Sequence, residues 1–380
     1  MRSSTLVRRV AVGLGITVSL LLVASLAVGW YYADQILDGA LVVEDEAETY
    51  EVEVTALDDG RITLRSTTGA DLASEPETIG LDWPGGYARA GRTLSSTGDT
   101  VTREYAALEG GLRVGDLVRF DKFAFPGDPE RAHGIAFDAA TFAAPLGELA
   151  AWRVDGADDT WAVFVHGKGA SRREALRMMP VMVEAGLPSL AITYRNDPGA
   201  PVDPSSYYQY GRTEWEDLEA AVEYALAEGA SDVVLVGYSM GGGIVASFLM
   251  HSPSAGRVAG AILDSPMLDF GATINLGAER RGLPVFLAGL GKAVSSVRFG
   301  VDWTALDYLD RADELSVPIL LFHGDGDTTV PQRTSEALAE RRPELVTYEE
   351  FDGAAHLGAW NADPERYEGA VAAFLDRVAR

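Results

Sequence analysis

The sequence contains no cysteine, which removes disulfides, thiolate nucleophiles and cysteine-bound zinc together and leaves the redox compartment unmarked. It is poor in bases: 31 Lys and Arg stand against 57 Asp and Glu, a formal charge of −26. No run of basic residues interrupts that excess, and so acidic a chain is repelled by phosphate backbones. Nucleic acid is therefore not an expected partner. Histidines number only 5, and no pair has metal-ligand spacing on one element, so neither a metal nor another cofactor is expected. Nucleotide loops are missing too. Gly167-Lys-Gly-Ala-Ser-Arg172 puts Arg172 where a dinucleotide loop has its third glycine, and neither Gly167-Lys168 nor Gly291-Lys292 is followed by Ser or Thr. Asp325-Gly-Asp-Thr-Thr329 fails as a calcium loop, with Val330 in place of the glycine.

Charge is also absent between Val10 and Ala33. At a helical rise this stretch spans roughly 36 Å, enough to cross a bilayer's hydrocarbon. Arg2, Arg8 and Arg9 precede it, whereas Asp34, Asp38, Glu44, Asp45 and Glu46 follow it and no Lys or Arg returns until Arg61. The positive-inside bias puts the short tail in the cytoplasm and the remaining chain outside, with Trp30, Tyr31 and Tyr32 at the interface. Two other readings stand beside this single-pass anchor. Ser25-Leu26-Ala27 offers small residues for signal-peptide cleavage and secretion, although the apolar region exceeds the usual 7–15 residues. A buried soluble helix would show polar punctuation at helical period.

With 380 residues the chain exceeds a typical single domain. Residues 1–33 read as tail and anchor, and 34–48 as an acidic linker. Residues 49–140 show short alternating segments with turns between them, as in Glu51–Val54 and Arg61–Arg65 around Asp58-Asp59-Gly60, and read as a small β-barrel or β-sandwich. Val101–Tyr105 and Asp116–Phe120 look like further strands of it. In 145–380 apolar runs at 161–165, 189–194, 233–237, 258–263 and 317–322 alternate with amphipathic helices, and a last strand is expected at about 345–351. That alternation argues a mostly parallel α/β sheet, whose active sites collect at the carboxyl ends of the strands. Thr213–Glu216 and Ser171–Glu174 read as capping boxes, the second opening a helix that Pro180 is expected to kink or shorten. Tyr367, Val371, Phe374 and Val378 form the stripe of a last helix, about 364–379.

The chemistry gathers at those strand ends. The run 233–237 enters Gly237-Tyr238-Ser239-Met240-Gly241. In a chain with 41 glycines the pattern alone is weak, but an apolar strand before it and a helix after it give it context. The glycines allow a sharp strand-to-helix turn that lifts Ser239 Oγ and aims the Met240 N–H at a developing oxyanion. Serine needs a base and an orienting acid. His323-Gly-Asp-Gly-Asp327-Thr-Thr-Val-Pro331 follows 317–322, and Gly353-Ala-Ala-His356 follows 345–351. Ser, then Asp, then His is one known order of such residues. Asp325 competes with Asp327 for the acid role. His166 and His323 read as loop-shaping, His251 as a helix C-terminal imidazole, and His133 as a surface residue.

Residues from about 150 to 380 resemble the α/β-hydrolase superfamily, in particular its bacterial serine hydrolases, through GYSMG, HGDGDTTVP, the late His356 and Val165-His166-Gly167-Lys168-Gly169. The resemblance implies Ser239 as nucleophile, Asp327 as acid, His356 as base, and the backbone N–H groups of Met240 and Lys168 as oxyanion donors. It further implies attack on a carbonyl and an acyl-enzyme, so a small-molecule acyl ester is the expected substrate. A serine peptidase and an exported scaffold without turnover are the competing readings. About fifty residues, 267–314, read as a cap insertion or as ordinary helices covering the sheet. Its Leu283, Val285, Phe286, Leu287 and Leu290 are expected to make the acyl side apolar, and Arg280, Arg281 or Lys168 to favour an anionic group.

Overall fold

The computed structural model describes residues 2–43 and 49–379, with only the backbone of 2–10. The acidic linker's Glu44, Asp45 and Glu46 and the side chains of Arg2, Arg8 and Arg9 thus lie outside the described residues. The uncharged stretch forms one helix, α1 (Arg2–Ile36), which a single π-type turn, Leu37–Leu41, carries further. It is long and apolar enough to cross a membrane. From Ala11 to Ala27 its side chains are exposed, whereas Ala33, Ile36, Ala40 and Leu41 are buried.

The next segment is a closed barrel of six antiparallel strands: β1 (Val52–Asp58), β2 (Arg61–Ser66), β3 (Ile79–Trp83), β4 (Gly86–Thr97), β5 (Thr100–Glu109) and β6 (Leu117–Asp121). Asp58 pairs with Arg61 across the Asp59-Gly60 turn, where Gly60 takes a positive φ of 72° as such a turn requires. Alternation explains the barrel's core: Val52, Val54, Ile62 and Leu64 point inward beside Leu81, Val101 and Val118. Pairing of β6 with β1 closes the ring and leaves no edge to aggregate.

A short helix, α2 (Pro129–His133), capped by the Asp128 side chain, leads into an eight-stranded sheet. Its first strands are β7 (Asp138–Ala144), β8 (Gly147–Val154) and β9 (Thr160–Val165). β7 pairs with β8 in this larger sheet, so the sheet begins before residue 140, where the small β module was expected to end. Then follow α3 (Met179–Glu184), β10 (Ser189–Ile192), α4 (Trp215–Ala227), β11 (Asp232–Tyr238), α5 (Met240–His251) and β12 (Val258–Asp264). The segment expected as a cap, 267–314, holds α6 (Phe270–Arg280) and α7 (Val285–Phe299). The chain ends with β13 (Ile319–Gly324), α8 (Arg333–Arg341), β14 (Val346–Phe351), α9 (Ala359–Ala362) and α10 (Pro364–Val378).

Strand order is β14-β13-β12-β11-β9-β10-β8-β7, with β9 to β14 parallel and β7 and β8 antiparallel to their neighbours. Buried on both faces, β9 to β13 are dominated by apolar residues rather than alternation, whereas β14 at the edge of the sheet is only partly buried. From β9 the chain winds outward to β10 and then back to β11 on the other side. The winding reverses between the adjacent strands β9 and β11, whose carboxyl ends open a crevice.

Three local expectations need correction. Thr213 does not cap α4: its hydroxyl donates to Asp203 Oδ2, and Glu216 pairs with Arg195. The buried Glu214 instead accepts the Gln209 and Gly211 N–H groups, because the chain wraps around that carboxylate before the helix begins. Ser171 does cap a short 3-10 turn, but its box partner Glu174 reaches away to Gly167 N–H. His133 is half-buried, not a free surface residue: its Nε2 bonds the Leu176 carbonyl at 2.8 Å and its ring packs on Phe125.

Candidate active site

Ser239 sits between the end of β11 and the start of α5 with φ 50° and ψ −113°, a conformation a non-glycine residue adopts only when its surroundings enforce it. The enforcing contacts are backbone. A Cβ on Gly241 would lie 2.1 Å from the Val165 carbonyl oxygen, and one on Gly237 would lie 2.7 Å from the Gly241 oxygen. The glycines thus let β11, the turn and the end of β9 approach closely. The turn projects a partly exposed serine hydroxyl into the crevice.

Two later strand ends meet it. Ser239 Oγ–H donates to His356 Nε2 at 2.8 Å, and His356 Nδ1–H donates to Asp327 Oδ2 at 2.7 Å. The acid belongs to the loop after β13 and the imidazole to the loop after β14. Asp327 accepts further hydrogen bonds from the Thr329 and Val330 N–H groups through Oδ1. Asp325 stays in the exposed turn and accepts Gly353 N–H, so it does not reach the imidazole.

A residue that sequence reasoning had assigned only to loop shape also touches this carboxylate. His323 is buried with its Nε2 3.1 Å from Asp327 Oδ2, while its Nδ1 accepts from Ser335 Oγ at 2.7 Å. Its position four residues before the acid, at the end of an apolar strand, was the available signal. Burial alone would raise the Asp327 pKa. Hydrogen bonds from His323 and His356 and the nearby imidazoles outweigh burial and hold the carboxyl well below the usual carboxylate range.

Met240 opens α5, so its N–H has no acceptor within the helix. Among the described residues the Lys168 N–H also lacks an acceptor. The loop that carries it is held from behind by fully buried Glu174, whose carboxylate accepts Gly167 N–H at 2.8 Å. His166 faces away from Ser239, paired with Asp197 at 2.8 Å and stacked on Tyr194. His251 Nδ1–H donates to the Ser247 carbonyl one turn earlier, as a C-terminal imidazole should.

Ser239 and His356 open on a cavity of about 520 Å³. Its walls come from parts distant in the chain. Met267, Phe270, Ile274, Ala278 and Leu283 line it from the cap, Lys122 from the segment after the barrel, Thr329 and Val330 from the acid loop, and Tyr32, Ile36 and Ala40 from the N-terminal helix and its last turn. Arg281 and Lys168 stand in the lining. Val285 and Phe286, expected to face the acyl side, are exposed on the outside of α7 instead, because that helix turns its Ala288 and Gly291 side inward.

A parallel α/β sheet with a strained serine turn at its reversal point, faced by an imidazole and a carboxylate from later strands, is the frame of an α/β-type hydrolase. The chain belongs to the alpha/beta hydrolase family, whose model matches residues 162–370. A domain of unknown function (DUF8805) matches residues 53–121, which coincide with the barrel. No curated protein matches the chain. Among solved structures, the Pyrococcus furiosus esterase Pf2001 is 20% identical, with a TM-score of 0.54 over 67% of this chain and 98% of that one. Another crystal form of the same esterase gives 0.53 over 67% and 96% at 20% identity. A thermophilic esterase from Thermogutta terrifontis is 21% identical over 64% of this chain and 100% of that one, with a TM-score of 0.47. At such identities the likeness is one of fold.

Proposed function

We propose that the protein is a membrane-anchored serine hydrolase that cleaves carboxylic esters outside the cytoplasm. The observation that carries this reading is the hydrogen-bonded line Ser239–His356–Asp327 opening on a largely apolar cavity. His356 Nε2 takes the Ser239 proton as Oγ bonds to the substrate carbonyl carbon, and the Met240 and Lys168 N–H groups hold the oxygen that becomes negative. Collapse of that intermediate breaks the ester bond, the imidazolium protonates the departing alkoxide, and an acyl-Ser239 ester remains. Water then gives a proton to His356 and its oxygen to the acyl carbon. The carboxylic acid leaves and Oγ recovers its proton. Asp327 stays ionised throughout and orients the ring.

The name of the Pyrococcus relative supports esters over amides as substrates. The uncharged length of α1 and the basic residues before it support an anchor with the hydrolase outside. A fluorophosphonate probe tests the chemistry. Wild-type protein is expected to be labelled, and Ser239→Ala to lose both the label and ester turnover by several orders of magnitude. Labelling that survives Ser239→Ala, or ester turnover by that variant at the wild-type rate, sinks the reading. Hydrolysis of a peptide amide in preference to its ester would shift the assignment to a peptidase.

A further inference from the structure

The outer end of α1 is built into the pocket. Tyr32, Ile36 and Ala40 line the same cavity as Ser239 and His356. Their seat is specific. A Cβ on Gly291 of α7 would lie 2.8 Å from Tyr32 Cβ, and one on Gly29 would lie 2.8 Å from Val294 Cγ2, so glycines on both helices permit the close approach typical of helices packed in membranes. Arg298 on α7 pairs with Asp34 at 2.7 Å and stacks over Trp30 at 3.8 Å. Beyond the helix, Tyr210 Oη–H donates to the Ala40 carbonyl at 2.8 Å, Tyr208 N–H to that of Leu41 at 2.9 Å, and Lys168 Nζ to that of Gly39.

Length then locates the cavity relative to a bilayer. About 20 helical residues cross the hydrocarbon, and the unbroken exposed run from Ala11 ends at Ala27, after which buried Gly29 and Ala33 flank exposed Trp30 and Tyr31. The interface thus falls near Trp30 and Tyr31, which are themselves exposed. From there to Ala40 is roughly 15 Å along a helix. Val297, 87% exposed, and Phe286, 67% exposed, project outward from α7, the helix that packs on α1.

From these contacts we infer that the outer end of the anchor is a wall of the substrate site, and that the site takes a long-chain aliphatic ester resident in the same bilayer. The inference deepens the ester-hydrolase reading and rests on it. An acyl chain leaving the membrane beside Tyr32 and Ile36 reaches Ser239 between α1 and the cap without crossing bulk water.

The test uses the full chain in phosphatidylcholine vesicles. A fluorogenic palmitate ester is placed either in the vesicles that hold the protein or in separate, protein-free vesicles. Co-resident ester is expected to turn over at least tenfold faster, and Ile36→Trp to lower the palmitate-to-acetate ratio of kcat/KM at least tenfold. Ile36→Ala serves as the second variant if the larger side chain prevents folding, and it is expected to shift the same ratio. Equal rates from the two placements, or a ratio unchanged in both variants, overturn the inference. Soluble acetate ester separates the two levels: Ser239-dependent acetate turnover with equal palmitate rates removes only the bilayer substrate, whereas no Ser239-dependent turnover of either ester removes the hydrolase reading and this one with it.

Discussion

His323 places a second imidazole on the carboxylate that His356 already engages, and this shared acceptor sets the electrostatics of the site. Asp327 gains four donors in all, two from imidazoles and two from backbone N–H groups. Because its folded pKa lies below the unfolded value of about 3.9, its ionisation stabilises the fold fully above that value, and the contribution is lost as pH falls through the lower folded value. Asp327 therefore remains charged through neutral and mildly acidic conditions. Replacing His323 with Ala removes one of the donors that depress it. His323→Ala is expected to lower kcat about tenfold with little change in KM, and to move acid unfolding to higher pH. A loss of kcat with the acid-unfolding midpoint unmoved would make the role of His323 one of packing alone. Asp325, two residues earlier, has no such setting because its carboxylate caps a turn at the surface.

At the scale of elements, the strand-to-helix turn depends on what its neighbours allow. The Val165 carbonyl beside Gly241 belongs to β9, whose hydrogen bonds to β10 and β11 leave it little freedom to retreat. Gly241→Ala is thus expected to displace the serine turn and lower fluorophosphonate labelling more than a hundredfold, since small misplacements of reacting groups cost on that scale. Circular dichroism should show whether the sheet itself persists. Labelling at the wild-type rate in a folded Gly241→Ala protein would mean that the close approach is not what positions Ser239. The helices behave differently from the turn. Thr213 and Glu216 have the spacing of a capping box, yet each finds a charged partner elsewhere, in Asp203 and Arg195. Local spacing offers a hydrogen bond, and a buried ion network outbids it.

Across the whole molecule, one buried amide joins the barrel to the hydrolase domain. Asn361 Nδ2–H groups donate to the Thr78 and Lys122 carbonyls, and its Oδ1 accepts from Arg177. Thr78 N–H returns a bond to the Asn361 carbonyl. Arg173 adds bonds to Asp121 and to the Phe125 carbonyl from the other domain. Lys122, the residue that follows β6, lines the cavity, so the barrel's last strand ends beside the site. Asn361→Ala leaves two carbonyls and a buried guanidinium short of partners and is expected to destabilise by about 3 kcal/mol. Denaturant unfolding of the soluble part would read it, and a change below about 0.5 kcal/mol would show that the domains do not lean on this residue.

Periodicity and punctuation by themselves determined the uncharged helix, the Asp59-Gly60 hairpin, the run of buried parallel strands and the positions of Ser239, Asp327 and His356 just past three strand ends. Each of those features is set by residues close together in the chain, through side-chain period, turn geometry or strand length. Only the tertiary structure decided that the sheet starts at Asp138, that Asp327 and not Asp325 meets His356 and shares its carboxylate with His323, and that Phe286 faces outward while Ile36 faces the cavity. These depend on which surfaces meet after folding. Ile36 and Ser239 are 203 residues apart in the sequence, and no local pattern carries the close contact of α1 with α7 that puts them around the same space.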